Sequence, residues 1–166
     1  MRFLKIAKNI VETIAENAKP HSQTTQPTQP TQPQPKVTEE ERNWTDEQWR
    51  AYFKEILNTE FPLYGIREDV AVTDLVGFAN DEFQLYKTRP TQAYKAEWGQ
   101  PYTFLLEQAG IARGVVMLGK GHSHDSNVKY LIARMYAKKM GLPYINFYTQ
   151  MPNERDYVIS RIRKFL

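Results

Sequence analysis

Residues 102–126 read YTFLLEQAGIARGVVMLGKGHSHDS. Two β-compatible apolar runs, YTFLLEQ and ARGVVMLG, flank Ala109 and Gly110, a spacing that predicts a hairpin. The second run ends on glycine and empties into Lys120, His122, His124 and Asp125. That is the composition of a site, yet the apolar run itself carries no carboxylate. An active site, a metal site and the remnant of one are all open at this point.

C-terminal to this stretch, Ser126 is placed to cap a helix over 127–140, with Val128, Leu131, Ile132 and Met135 inside, Gly141 as its C-terminal stop and Pro143 beyond. YINFYT, at 144–149, reads as a buried strand. Pro152 then leads into a helix over 153–164 whose Val158, Ile162 and Phe165 face inward, while Arg155, Arg161, Arg163 and Lys164 decorate the rest.

N-terminal to the hairpin, Asn43 or Thr45 caps a helix through DEQWRAYFKEILNTEF, where Trp49, Phe53, Ile56 and Leu57 form one apolar stripe and Pro62 stops the run. Val70, Val72 and Leu75 in YGIREDVAVTDLVGF alternate as in a strand. Residues 80–101, NDEFQLYKTRPTQAYKAEWGQP, are aromatic and polar and read as a long excursion. The expected order is helix, strand, strand, strand, helix, strand, helix. Strands 102–108 and 113–118 should be antiparallel neighbours in one mixed sheet that 144–148 joins, covered by the helices over 127–140 and 153–164.

Three segments emerge along the 166 residues. Residues 1–19 place Phe3, Ala7, Ile10 and Ile14 at helical spacing: an amphipathic helix that anchors to a membrane surface, docks on a protein partner or packs on its own domain. Lys5 and Lys8 interrupt its apolar stretch, so it is neither a secretory signal nor a membrane span, and the expected location is cytoplasmic. Residues 20–38 repeat Thr-Gln-Pro, which removes backbone donors and offers nothing to bury, so a disordered linker is expected. Residues 39–166 form the α/β domain.

There is no cysteine, which excludes disulfides and thiolate metal sites. Residues 86–166 hold thirteen Lys and Arg against five Asp and Glu, whereas residues 1–85 hold nine against fourteen. A basic C-terminal half admits a polyanion as partner, although surface lysines also serve solubility. The serine-hydrolase elbow, the phosphate-binding loop and the dinucleotide glycine motif are all absent. The pair His122 and His124 can chelate a transition ion, or belong to a polar loop that leads into a helix start.

The element order over 45–166 resembles the restriction-endonuclease-like core of the PD-(D/E)xK nucleases, and is similar to the small very-short-patch-repair type of domain. In that family an aspartate opens the second core strand and Glu or Asp stands on the third, with lysine two residues on. Residues two apart on a strand share a face, so these groups converge on one divalent metal and one water. On that alignment Thr103, Met117 and Gly119 stand where the family has its aspartate, its acid and its lysine. The resemblance therefore implies a catalytically degenerate frame with no metal and no cofactor, unless Glu107, Asp69 or Asp74 relocates the carboxylates. It also implies that the loop after the third strand lies beside nucleic acid, so that Lys120, His122 and His124 touch phosphate. Lys129, Arg155, Arg161 and Arg163 extend this to a basic C-terminal face that binds nucleic acid weakly and without sequence preference. A protein-interaction module is the alternative from a different class.

Overall fold

The computed structural model describes residues 43–121 and 127–166. In chain order the elements are α1 (Asp46–Glu60), β1 (Gly65–Val70), α2 (Val72–Val76), β2 (Asn80–Phe83), β3 (Gln92–Lys95), β4 (Tyr102–Gln108), β5 (Ile111–Gly119), α3 (Val128–Lys139), β6 (Tyr144–Tyr148) and α4 (Arg155–Phe165), with a 3-10 turn at Ala96–Trp98 between β3 and β4. The four-stranded sheet runs β1-β4-β5-β6, antiparallel at its first two pairings and parallel between β5 and β6. The architecture is mixed α/β, a sheet with helices on both faces.

The hairpin expected from the sequence forms, and its turn explains the register. Ala109 and Gly110 both take positive φ, 52° and 74°, the two-residue geometry whose twist matches that of paired strands. Leu106 pairs with Gly114 but Glu107 pairs with Ala112, so Arg113 is the extra residue of a β-bulge. Beyond the bulge, alternate residues of β5 serve opposite faces. Val116 belongs to the cluster formed with α1 and α4, Val115 and Met117 to the cluster formed with α3.

α1 begins where Thr45 and Gln48 cap each other reciprocally: the Thr45 hydroxyl accepts from the Gln48 amide at 3.3 Å and the Thr45 amide donates to Gln48 Oε1 at 2.8 Å. Its stripe of Trp49, Phe53, Ile56 and Leu57 is buried as expected, each side chain contributing about 1.5–3 kcal/mol of transfer free energy. Opposite this stripe lie Phe104, Phe147 and the Val158 and Ile162 side of α4.

Four local expectations are corrected. Val72 to Val76 is a short helix and does not continue β1: Asp74 accepts the Ala71 amide at 3.2 Å as a cap, and Gly77 at φ 71° ends the turn. Val72 is buried in that helix, so its apolar spacing mimicked a strand. Residues 80–101 hold a second, two-stranded sheet of β2 and β3. α3 is capped by Asn127, whose side chain accepts from the Lys129 amide at 3.0 Å; it buries Ala133, Tyr136 and Ala137 beside the expected Ile132, while Leu131 and Met135 are half-buried and Val128 is exposed. On α4, Phe165 is 42% exposed and does not join the core. The helix expected at 1–19, the linker at 20–38 and Ser126 lie outside the described residues. Among the described residues no helix is long and apolar enough to cross a membrane.

Candidate functional site

β5 and β6 are parallel, so both release the chain at the same edge of the sheet, where Gly119 pairs with Tyr148 and the Thr149 amide donates to the Gly119 carbonyl at 2.9 Å. β4 starts at that edge, and the first turns of α1 and α3 come to it as well. Their convergence leaves a cleft of about 470 Å³ lined by Asp46 and Arg50 of α1, Gln100, Pro101 and Thr103 at the start of β4, Leu118 to Lys120, Asn127 and Tyr130 of α3, and Thr149. A crevice at the carboxyl ends of parallel strands is where open α/β sheets place ligands.

Of the three positions that the sequence singled out, Thr103 and Gly119 line the cleft, and Met117 is buried in the core beside Thr103. Thr103 is 4% exposed; its hydroxyl accepts the Leu118 amide at 3.0 Å and lies 3.7 Å from the sulfur of Met117. Met117 is buried on the same face of the sheet, and Gly119 brings no side chain. A hydroxyl already engaged by the backbone and a soft thioether do not hold a hard divalent cation, which takes carboxylate and carbonyl oxygen. The donor set does not fit the metal that the resemblance would supply. Among the described residues one carboxylate lines the cleft, Asp46, 3.3 Å from the Lys120 ammonium. Among the described residues no three His, Asp or Glu side chains are grouped as metal ligands.

The three relocation candidates are held apart. Asp69 forms a two-pronged ion pair with Arg50, at 2.6 and 2.9 Å. Asp74 caps α2, and Glu107 meets Arg67 at 3.1 Å toward the hairpin end of β4, away from the cleft. The hydrogen bond that Arg50 donates to Asp69 raises the Arg50 pKa, so the guanidinium at the cleft wall stays charged. Burial, followed by the Asp46 charge, pushes the Tyr130 hydroxyl up, and it remains protonated at neutral pH.

The basic residues of the C-terminal half separate into two groups. Lys120 lines the cleft and Lys129 lines a groove beside it. Arg155 pairs with Glu55 at 2.5 Å and Glu60 at 3.1 Å, Arg163 pairs with Glu60 at 3.4 Å, and Arg161 stacks over the rings of Phe147 and Phe165. These arginines sit on α4, across the sheet from α3. His122 and His124 lie outside the described residues.

Asp46, Arg50, Gln100, Tyr130 and Thr149 were not singled out from the sequence. The signal that was present is the spacing of Asp46 and Arg50, one turn apart at the start of a well-capped helix. No protein-family model, curated protein or solved structure matches the chain.

Proposed function

We propose that the chain is a restriction-endonuclease-like domain whose metal site is lost and whose cleft binds nucleic acid through backbone phosphate. The observation that carries this reading is the cleft itself. It opens over Thr103 and Gly119, at the end of the sheet where the nuclease frame would carry out its chemistry, and its walls bring Lys120 and Arg50 beside the Asn127 end of α3. Amides in the first turn of a helix favour an anion, and the two cations reinforce this. Asp46 limits the attraction, in keeping with weak binding. A nuclease with relocated carboxylates draws no support, because Asp69, Asp74 and Glu107 each serve a separate partner.

The test is a titration of labelled duplex and single-stranded oligonucleotides with the full chain at two salt concentrations. The logarithm of the binding constant should fall against the logarithm of salt with a slope of about one per neutralised phosphate, and Lys120→Glu should weaken binding several-fold. Arg155→Ala with Arg163→Ala should leave it within twofold, because those guanidinium groups already face Glu55 and Glu60. No binding at low salt, or binding indifferent to salt and to Lys120, overturns the proposal. Plasmid incubated with Mg²⁺ or Mn²⁺ should remain uncut, and cleavage that Glu107→Ala abolishes would restore the nuclease.

A further inference from the structure

A second depression, of about 670 Å³, runs beside the cleft between α2, the 3-10 turn and the start of α3. Its walls are mainly apolar, with Val72, Trp98, Val128 and Ile132 among them, and Lys129 at the rim. It shares Gln100 and Pro101 with the cleft, so the two adjoin across the ridge of those residues as lobes of a candidate channel. That ridge is fixed, because the Gln100 amide donates to the Lys129 carbonyl at 2.9 Å. Gly99 keeps the ridge close to the helix: a Cβ there would lie 2.6 Å from Val72 Cγ2. Trp98 is 47% exposed, and the Lys95 ammonium sits 5.6 Å from its ring centre.

Cations therefore stand along the channel, Lys120 and Arg50 at one end, Lys129 and Lys95 at the other, with an exposed indole between apolar walls. Asp46, Asp69 and Glu97 oppose them, Asp69 in its two-pronged pair with Arg50 and Glu97 within 3.7 Å of Lys95. We propose that this channel binds single-stranded nucleic acid, with phosphates at Lys120 and Lys129 and an unpaired base stacked on Trp98. This rests on the phosphate reading of the cleft and adds the kind of strand to it. An unpaired base offers its ring face to an aromatic platform, whereas a duplex keeps that face inside its own stack, so an exposed indole among cations selects the single strand.

The experiment uses the full chain and two labelled probes, a short oligo-dT and a hairpin duplex, followed by anisotropy at low salt. Trp98→Ala should weaken oligo-dT binding roughly tenfold, the loss of one stacked base, with duplex binding changed less than twofold. Trp98→Phe should retain most of the oligo-dT affinity while removing the quench of tryptophan emission that oligo-dT produces in the wild type. Circular dichroism of both variants should match the wild type. If oligo-dT binding is indifferent to Trp98→Ala but falls with Lys120→Glu, the stacking channel is overturned and the phosphate reading stands. If neither probe binds the wild type, both are overturned. Tighter binding of duplex than of oligo-dT overturns the channel, as does self-association that Trp98→Ala abolishes, which would assign the groove to a second copy.

Discussion

On one face of the sheet, α1 and α4 meet the strands through large rings: Phe53 and Phe147 lie with centroids 4.9 Å apart, and Trp44, Trp49 and Tyr52 continue the cluster. On the other face, α3 meets Leu105, Val115 and Met117 through Ala133 and Ala137, and tyrosine hydroxyls are among its polar contacts. Tyr102 donates to the Ala133 carbonyl at 2.8 Å, and Tyr136 reaches the Tyr94 carbonyl at 2.7 Å. The charges differ in the same way. Around α4 they close on the carboxylates of α1, whereas beside α3 lysines stand along an open channel. The charge total of the C-terminal half does not report which basic residues face a groove and which face the carboxylates of a packed helix.

Three substitutions test the contrast, from the largest effect to the smallest. Phe53→Ala empties a fully buried site ringed by aromatics and should cost about 3–5 kcal/mol in urea unfolding. A loss below about 1 kcal/mol would show that this face is loosely packed. Ala137→Leu tests the opposite face, where the small side chain sets the distance from helix to sheet. Its added methylenes have no room and should cost about 1–3 kcal/mol; a neutral outcome would remove the distinction between the faces. Arg155→Ala, at an exposed ion pair, should shift the unfolding midpoint least of the three and only at low salt.

The pH dependence of that small effect has a defined sign. The hydrogen bond from Arg155 holds the Glu55 carboxyl below its usual value of 4.5. A group whose pKa is depressed by folding binds fewer protons in the native state, so its contribution is present above the unfolded pKa and disappears as pH falls through the folded one. The difference between wild type and Arg155→Ala should therefore narrow below about pH 4. A difference that widens in acid would reassign the contact.

The sequence made the central hairpin legible because its two apolar runs flank a two-residue link, and it made α1 legible because Thr45 and the stripe from Trp49 to Leu57 agree. α3 was located correctly but rotated, since Ala133 and Ala137 carry little apolar signal and Val128 carries more than its exposure warrants. The segment Val72 to Val76 was lost to a spacing that suits a strand and a single helical turn equally, with Asp74 deciding by its cap. At the site, Thr103, Gly119 and Lys120 could be read because they flank the hairpin strands. Asp46 with Arg50, Tyr130 and Thr149 reach the same cleft from three distant places in the chain, and only folding joins them. The pairing of Arg155 with Glu55 spans 100 positions and was equally out of reach.

That span bears on the order in which the molecule assembles. The turn at Ala109 and Gly110 closes a pairing between residues three positions apart, Gln108 and Ile111, whereas the Arg67 contact with Glu107 bridges 40 positions and the α1 contact with α4 bridges 100. Closing a long loop costs more chain entropy before any contact rewards it, so β4 and β5 are set to zip first and serve as the template on which β1 and α4 dock late. Ala109 occupies a backbone region that glycine enters more readily, so Ala109→Gly should raise the folding rate while leaving the unfolding rate nearly unchanged. The hairpin that walls the cleft thus also acts as the kinetic gate of the fold.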